Sequence, residues 1–192
     1  TNIQTARSLP QGGMRGEREY QAIMRQANAA KPAYEAYDEG RKALSEKKID
    51  EAAALAEKAL DLFPAEAHFH ALRGDVRLLQ KNYDWAATNY TRAIERRNNF
   101  FYYHLQRGLA RKEMDNMDAA VTDLERSLEL LPTAPAHFAL GNIAKARGNR
   151  DEAVEHYKVV AKAGGEYGQA ATAELVKLDL PANPGAYVSH GC

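Results

Sequence analysis

A spacing of 34 residues organises this chain. Gly40, Gly74, Gly108 and Gly141 stand 34, 34 and 33 residues apart, and Ala52, Ala86, Ala120 and Ala153 keep the same steps. A period of this length, with small residues in two fixed places, dictates a stack of similar units. Each unit is too small to bury its apolar face alone and must pack on its neighbours. Within one period, Gly74 to Ala93, an apolar run meets a turn at Asn82-Tyr83-Asp84 and then a second run. Two helices per unit are predicted, giving four helical hairpins at about 33–66, 67–100, 101–133 and 134–165.

The second hairpin serves as the pattern, with helices expected at about 67–80 and 84–97. Asn82 stands where a side-chain oxygen caps the free N–H groups of the second helix, and Asn116 and Asn149 recur at its equivalents. Asn149 and Glu152 have the spacing of a capping box. Asp50, Asp84, Asp118 and Asp151 fall in first turns, where negative charge favours the helix dipole. Lys48 takes the cap place in the first hairpin, so that turn is expected to be the weakest. A mid-helix glycine costs about 1 kcal/mol against alanine. Close approach of the paired helix, through the recurring alanines, offsets that cost. Tyr90, Leu124 and Tyr157 are expected to fill the grooves between neighbouring hairpins, and Pro64 and Pro132 to end second helices.

The flanks differ. Residues 1–16 carry Pro10, Gly12, Gly13 and Gly16, the chemistry of a loop or tail. From Glu17 a helix is predicted, with Tyr20, Ile23, Met24 and Ala27 on one face. Lys31-Pro32 is expected to interrupt it. The chain thus divides into a tail and flanking helix over 1–31 and four units over 32–165. A capping helix over 166–179, with Ala170, Ala173, Leu175 and Val176 apolar, and an extended tail over 180–192 complete it.

Composition removes several classes of function. Net charge is zero, whereas phosphate binding needs a cationic face; residues 1–31 hold five Arg or Lys against two Glu, a mild bias. Cys192 is the lone cysteine, so no intramolecular disulfide forms. No apolar run approaches the roughly 20 residues of a membrane helix. The start Thr-Asn-Ile-Gln reads as a fragment or a processed chain. No HExxH, GxSxG, Walker loop or GxGxxG is present, so no catalytic residue and no cofactor is expected in this chain. His70, His104 and His137 recur in register, but adjacent units place them about 10 Å apart. That is too far to share a zinc ion with bonds near ~2 Å, so no metal site is expected and hydrogen bonding between repeats is the default.

These positions resemble the tetratricopeptide repeat: Gly eighth, Ala twentieth, an aromatic or Leu at twenty-four, a small residue at twenty-seven and Pro at thirty-two. Gly40, Ala52, Ala59 and Pro64 fit in the first unit, and Gly74, Ala86, Tyr90 and Ala93 in the second. Gly108, Ala120, Leu124, Ser127 and Pro132 fit in the third; Gly141, Ala153 and Tyr157 fit in the fourth. The usual Trp at the fourth position is absent, with Ala36, His70, His104 and His137 there. The resemblance implies an all-α fold, a right-handed superhelix of antiparallel helix pairs, and a concave face built by first helices. On that face it places Tyr34, Tyr37, Arg41, His68, Asp75, Leu78, Tyr102, Leu105, Leu109, Phe138 and Asn142. An aromatic and apolar groove with a few polar groups suits a protein or peptide ligand. The alternative is that these tyrosines pack against the N-terminal helix or the tail. Members that hold the tail of heat-shock chaperones carry Lys and Asn at the fifth and ninth positions of the first repeat. Tyr37 and Arg41 stand there instead, so that use is not expected.

Three stretches also resemble the C-terminal repeat region of bacterial zinc metallopeptidases related to the CAAX prenyl proteases. They are Gly16-Glu-Arg-Glu-Tyr-Gln-Ala-Ile-Met, Ala29-Ala-Lys-Pro-Ala-Tyr and Leu180-Pro-Ala-Asn-Pro-Gly-Ala-Tyr-Val. That resemblance implies a non-catalytic, substrate- or partner-recruiting region, with zinc held in a protease domain outside this chain. It implies a periplasmic or membrane-associated setting. A stand-alone scaffold in secretion, pilus or outer-membrane assembly is the alternative, and a cytoplasmic location stays open.

Overall fold

A computed structural model describes residues 14–179. They form nine helices and no strand. α1 is Met14–Ser45 and α2 is Ile49–Leu62. α3 is Ala67–Leu79, α4 Tyr83–Arg96, α5 Phe101–Glu113 and α6 Met117–Leu130. α7 is Ala134–Ala146, α8 Arg150–Ala163 and α9 Gly165–Asp179. Each helix packs on the next, and α1, α3, α5, α7 and α9 also pack on one another in series. The stack therefore has two layers: first helices side by side, and α2, α4, α6 and α8 behind them.

The glycines set how closely a pair approaches. A Cβ on Gly74 would meet the Tyr90 ring at 2.8 Å, and one on Gly141 the Tyr157 ring at 2.7 Å. On Gly108 it would meet Leu124 at 2.9 Å. The large residues thus lie inside their own hairpin, against its glycine, not in grooves between hairpins as the sequence suggested. Of the four, Gly40 alone is met from the next unit, by Leu72 at 2.9 Å. Ala52, Ala86, Ala120 and Ala153 are fully buried.

The turns differ from the expected caps. Asn82, Asn116 and Asn149 make no side-chain cap. Lys81 instead takes a left-handed conformation with φ of 58°, and its N–H donates to Leu78 O at 2.9 Å. Asn82 N–H reaches back to Arg77 O at 2.8 Å. This pair of bonds is a Schellman motif, which satisfies the last carbonyls of the first helix. Lys47, Asp115 and Gly148 repeat it, so the first turn closes on the same bonds as the others and its Lys48 is no defect. Asn149 spends its amide on Glu152 Oε2 at 3.2 Å.

Two flanking expectations also change. Pro32 lies inside α1, with no break between a flanking helix and the first hairpin. The carbonyl that proline leaves without a donor belongs to Asn28, which is exposed and open to water. α1 therefore runs straight past the groove: Ile23 is 62% exposed, and the N-terminal helix does not fold back over the tyrosines. At the other end, α9 buries Gly168 and Ala171 and half-buries Leu175 and Leu178, while Ala173 and Val176 face solvent. Glu174 pairs with Lys145, tying α9 to α7. The tails over 1–13 and 180–192 lie outside the described residues.

Half-buried arginines join successive hairpins. Arg73 of α3 donates to Asn89 Oδ1 at 2.6 Å on α4 and to Glu57 Oε2 at 2.9 Å on α2. Arg107 of α5 donates to Asp123 at 2.7 and 2.8 Å on α6 and to Thr91 Oγ1 at 3.0 Å on α4. Burial works against the Asp123 carboxylate, but His104, Arg107 and Arg111 win and hold it below the usual carboxylate range. In α7 the equivalent position is Leu140, which is buried among apolar neighbours.

Candidate functional site

A cleft of about 470 Å³ opens across the α1–α3–α5 layer. Tyr37 and Arg41 come from α1, and His68, Ala71, Leu72 and Asp75 from α3. Phe100, at the start of α5, and Tyr102 and Tyr103 complete it. The 34-residue period makes this convergence: equivalent faces of successive first helices fall side by side.

Asp75 forms the polar centre of this cleft. Its Oδ1 accepts hydrogen bonds from the Tyr90 hydroxyl at 2.6 Å and the Tyr102 hydroxyl at 2.8 Å. Burial pushes its carboxyl up to about 6, against those two donors and the more distant charge of Arg41. Burial and the nearby Asp75 carboxylate raise both phenols well above their ordinary range. Burial likewise raises the Tyr37 phenol. Arg41 is exposed and lies over the Tyr37 ring, 5.8 Å from its centre.

His68 has a fixed tautomer. Arg97 Nη1, which can only donate, lies 3.3 Å from its Nε2. Nδ1 therefore carries the proton and donates to the Tyr103 hydroxyl at 2.7 Å. Burial holds this imidazole below its ordinary pKa, so it is neutral at pH 7. Its ring packs edge-on against Phe100 and Tyr103.

Of the residues placed on the concave face from sequence, Tyr37, Arg41, His68, Asp75 and Tyr102 meet in this cleft. Tyr34 stands just outside, its hydroxyl donating to Glu66 Oε2 at 2.7 Å and its ring edge-on to Phe69. That bond to Glu66 is the main cause lifting the Tyr34 phenol to about 12. Leu105 is core, 5% exposed, and Leu109 packs half-buried on the same cluster. Leu78 packs against the cluster around Tyr90. Phe138 is sandwiched between Tyr157 and Tyr167, and Asn142 Oδ1 accepts from the Tyr157 hydroxyl at 2.7 Å. Leu105 is thus spent on packing, whereas the half-buried Phe138 also lines a second cleft of about 250 Å³ with Glu166, Tyr167 and Ala170. Phe100 and Tyr103 were not anticipated in the cleft around Asp75; the run Phe100-Phe101-Tyr102-Tyr103 was the available signal.

Two of the three histidines in register serve the links between hairpins. His70 Nε2 lies 3.0 Å from Pro64 O, and His104 Nε2 lies 3.0 Å from Asn98 O. His137 pairs instead with His156, nitrogen to nitrogen at 3.0 Å. No cluster of three or more metal-ligating side chains occurs among the described residues. None of the described helices is long and apolar enough to cross a membrane.

The tetratricopeptide-repeat family model matches residues 37–99 and 105–171, more than half of the chain. A thermophilic repeat protein of Thermus thermophilus superposes with a TM-score of 0.65 at 17% identity, over 73% of this chain and 80% of its own. MamA superposes at 0.63 and 19% identity, over 83% and 88%. The first repeat domain of Spaghetti (RPAP3), solved bound to the HSP90 peptide SRMEEVD, superposes at 0.60 and 25% identity, over 62% and 95%. No curated protein matches the chain.

Proposed function

The chain belongs to the tetratricopeptide-repeat family, and from that premise we propose that it is a non-catalytic module that holds a segment of a partner protein in the Tyr37–Asp75–Tyr102 cleft. The observation that carries this reading is the cleft itself: aromatic walls around one half-buried carboxylate, at the junction of three hairpins. A repeat domain of similar fold is bound to a peptide, which supports the reading. The peptide differs from that one, because Tyr37 and Arg41 replace the lysine and asparagine that would grip a chaperone tail. Peptides selected from a random library and titrated into isotope-labelled protein should move the amide signals of Tyr37, Ala71 and Tyr102. Shifts confined to α7–α9 would place the ligand elsewhere and refute the assignment.

For the wider setting, the flanking stretches Gly16–Met24 and Leu180–Val188 support a recruiting region of a bacterial envelope zinc metallopeptidase, periplasmic or membrane-associated. An HExxH motif upstream in the gene is the expected result. A lipoprotein signal with no such motif would instead favour a stand-alone assembly scaffold.

A further inference from the structure

Asp75 and Asn142 occupy equivalent places in their hairpins and perform the same structural task. Asn142 Oδ1 accepts from Tyr157, and Asp75 Oδ1 accepts from Tyr90, at 2.7 and 2.6 Å. A neutral amide suffices to anchor that tyrosine, so the charge on Asp75 is surplus to packing. The charge is also unfavourable where it sits. Among the described residues Asp75 has no ion-pair partner, and burial raises its carboxyl to about 6. Both hydroxyls bond to Oδ1. Oδ2 is left without a donor among the described residues.

A half-buried carboxylate with one oxygen unengaged, walled by aromatic rings, is complementary to a cation on an apolar stem. The stem packs on the rings, and their faces attract the charge. We propose that the cleft receives a lysine or arginine side chain of the bound peptide, paired with Asp75 and packed among Tyr37, Phe100 and Tyr102. This inference rests on the reading of the cleft as a peptide site and adds the chemistry of the residue that enters it. The groups facing the carboxylate are Arg41 and Tyr37 from α1, Tyr90 from α4 and Tyr102 from α5. Arg41 is exposed and lies over Tyr37. His68 is neutral, and Arg97 stands by Phe100, 5.4 Å from its ring centre. The two arginines favour acidic residues beside the inserted cation, not in its place.

The test pans a random-peptide phage library on the protein and synthesises the selected peptides, each with its Lys or Arg replaced in turn by norleucine. Affinities are measured by calorimetry on wild type and Asp75→Asn, whose folding is checked by its melt. Selected peptides should share a cation, and one norleucine replacement should weaken binding about tenfold or more. That difference should vanish on Asp75→Asn, and wild-type affinity should fall as pH drops below about 6. Peptides that shift Tyr37 and Tyr102 signals yet bind equally well with norleucine would overturn the inference and leave the cleft assignment standing. A norleucine penalty of equal size on Asp75→Asn would overturn it in the same way. Peptides that leave the cleft signals unmoved would overturn both.

Discussion

Asp75→Asn should make this protein more stable while it abolishes recognition of a cationic ligand. In the free protein the carboxyl rises from 3.8 to about 6 because burial outweighs its two tyrosine donors. At about 1.36 kcal/mol per pKa unit, the ionised side chain costs the folded state about 3 kcal/mol at pH 7.5. Water reaching the half-buried group screens part of that, so a gain of about 1–3 kcal/mol is expected. Asparagine still accepts from Tyr90 and Tyr102, as Asn142 does from Tyr157. For a chain of this size the gain corresponds to a rise in Tm of about 2–10 °C. The effect has a pH signature. A raised carboxyl pKa means that the folded state holds the proton more tightly than the unfolded chain does. The cost is complete above about pH 6 and fades as pH falls toward about 4. Paired thermal melts at pH 7.5 and 4.5 read it directly, since every other titrating group is common to both proteins. An equal advantage at both pH values, or a loss at pH 7.5, would refute the reasoning.

Three further substitutions test the architecture. Ala86→Leu, at a fully buried contact, should lower the stability of the second hairpin by about 1–3 kcal/mol through overpacking; an unchanged melt would mean that the helix-pair register is wrong. Lys81→Gly should raise stability by about 0.5–1 kcal/mol in a denaturant titration, because glycine relieves the left-handed strain at φ 58°. Leu105→Ala should cost about 2–5 kcal/mol as a core truncation yet leave peptide affinity unchanged at temperatures where the protein is folded. A weakened affinity there would return Leu105 to the binding surface.

The spacing of Gly40, Gly74, Gly108 and Gly141 was enough to read an all-helical solenoid, because a mid-helix glycine needs a close neighbour to justify it. The aromatic that supplies this neighbour was visible, but its partner was misjudged. Tyr90 and Tyr157 sit against their own glycine, a fact of helix rotation that spacing alone does not encode. The turns misled for a different reason. Asparagine at 82, 116 and 149 is a good cap by residue type, but the backbone N–H of that residue is committed to closing the preceding helix. The left-handed residue before it is lysine or aspartate in three turns out of four, so no glycine announced it. In the site, polar and aromatic members were legible because the inner face follows the period. Leu105 and Phe138 were not separable from them, since an apolar side chain on that face serves core and ligand equally well.

The joints between hairpins are of two kinds. Arg73 and Arg107 fasten the first three hairpins from half-buried positions, whereas the fourth has Leu140 at that place and is tied at its turn by Arg147, which donates to the exposed Asp118 at 2.6 Å. Directional bonds fix an angle; apolar contact fixes only proximity. Cooling loosens the apolar contact in particular. In a linear array each joint responds on its own, so a weakened seat at Leu140 leaves the other joints in place. The cleft lies wholly on the hairpins whose mutual tilt is locked. Its width therefore depends on two guanidinium groups that are not among its walls.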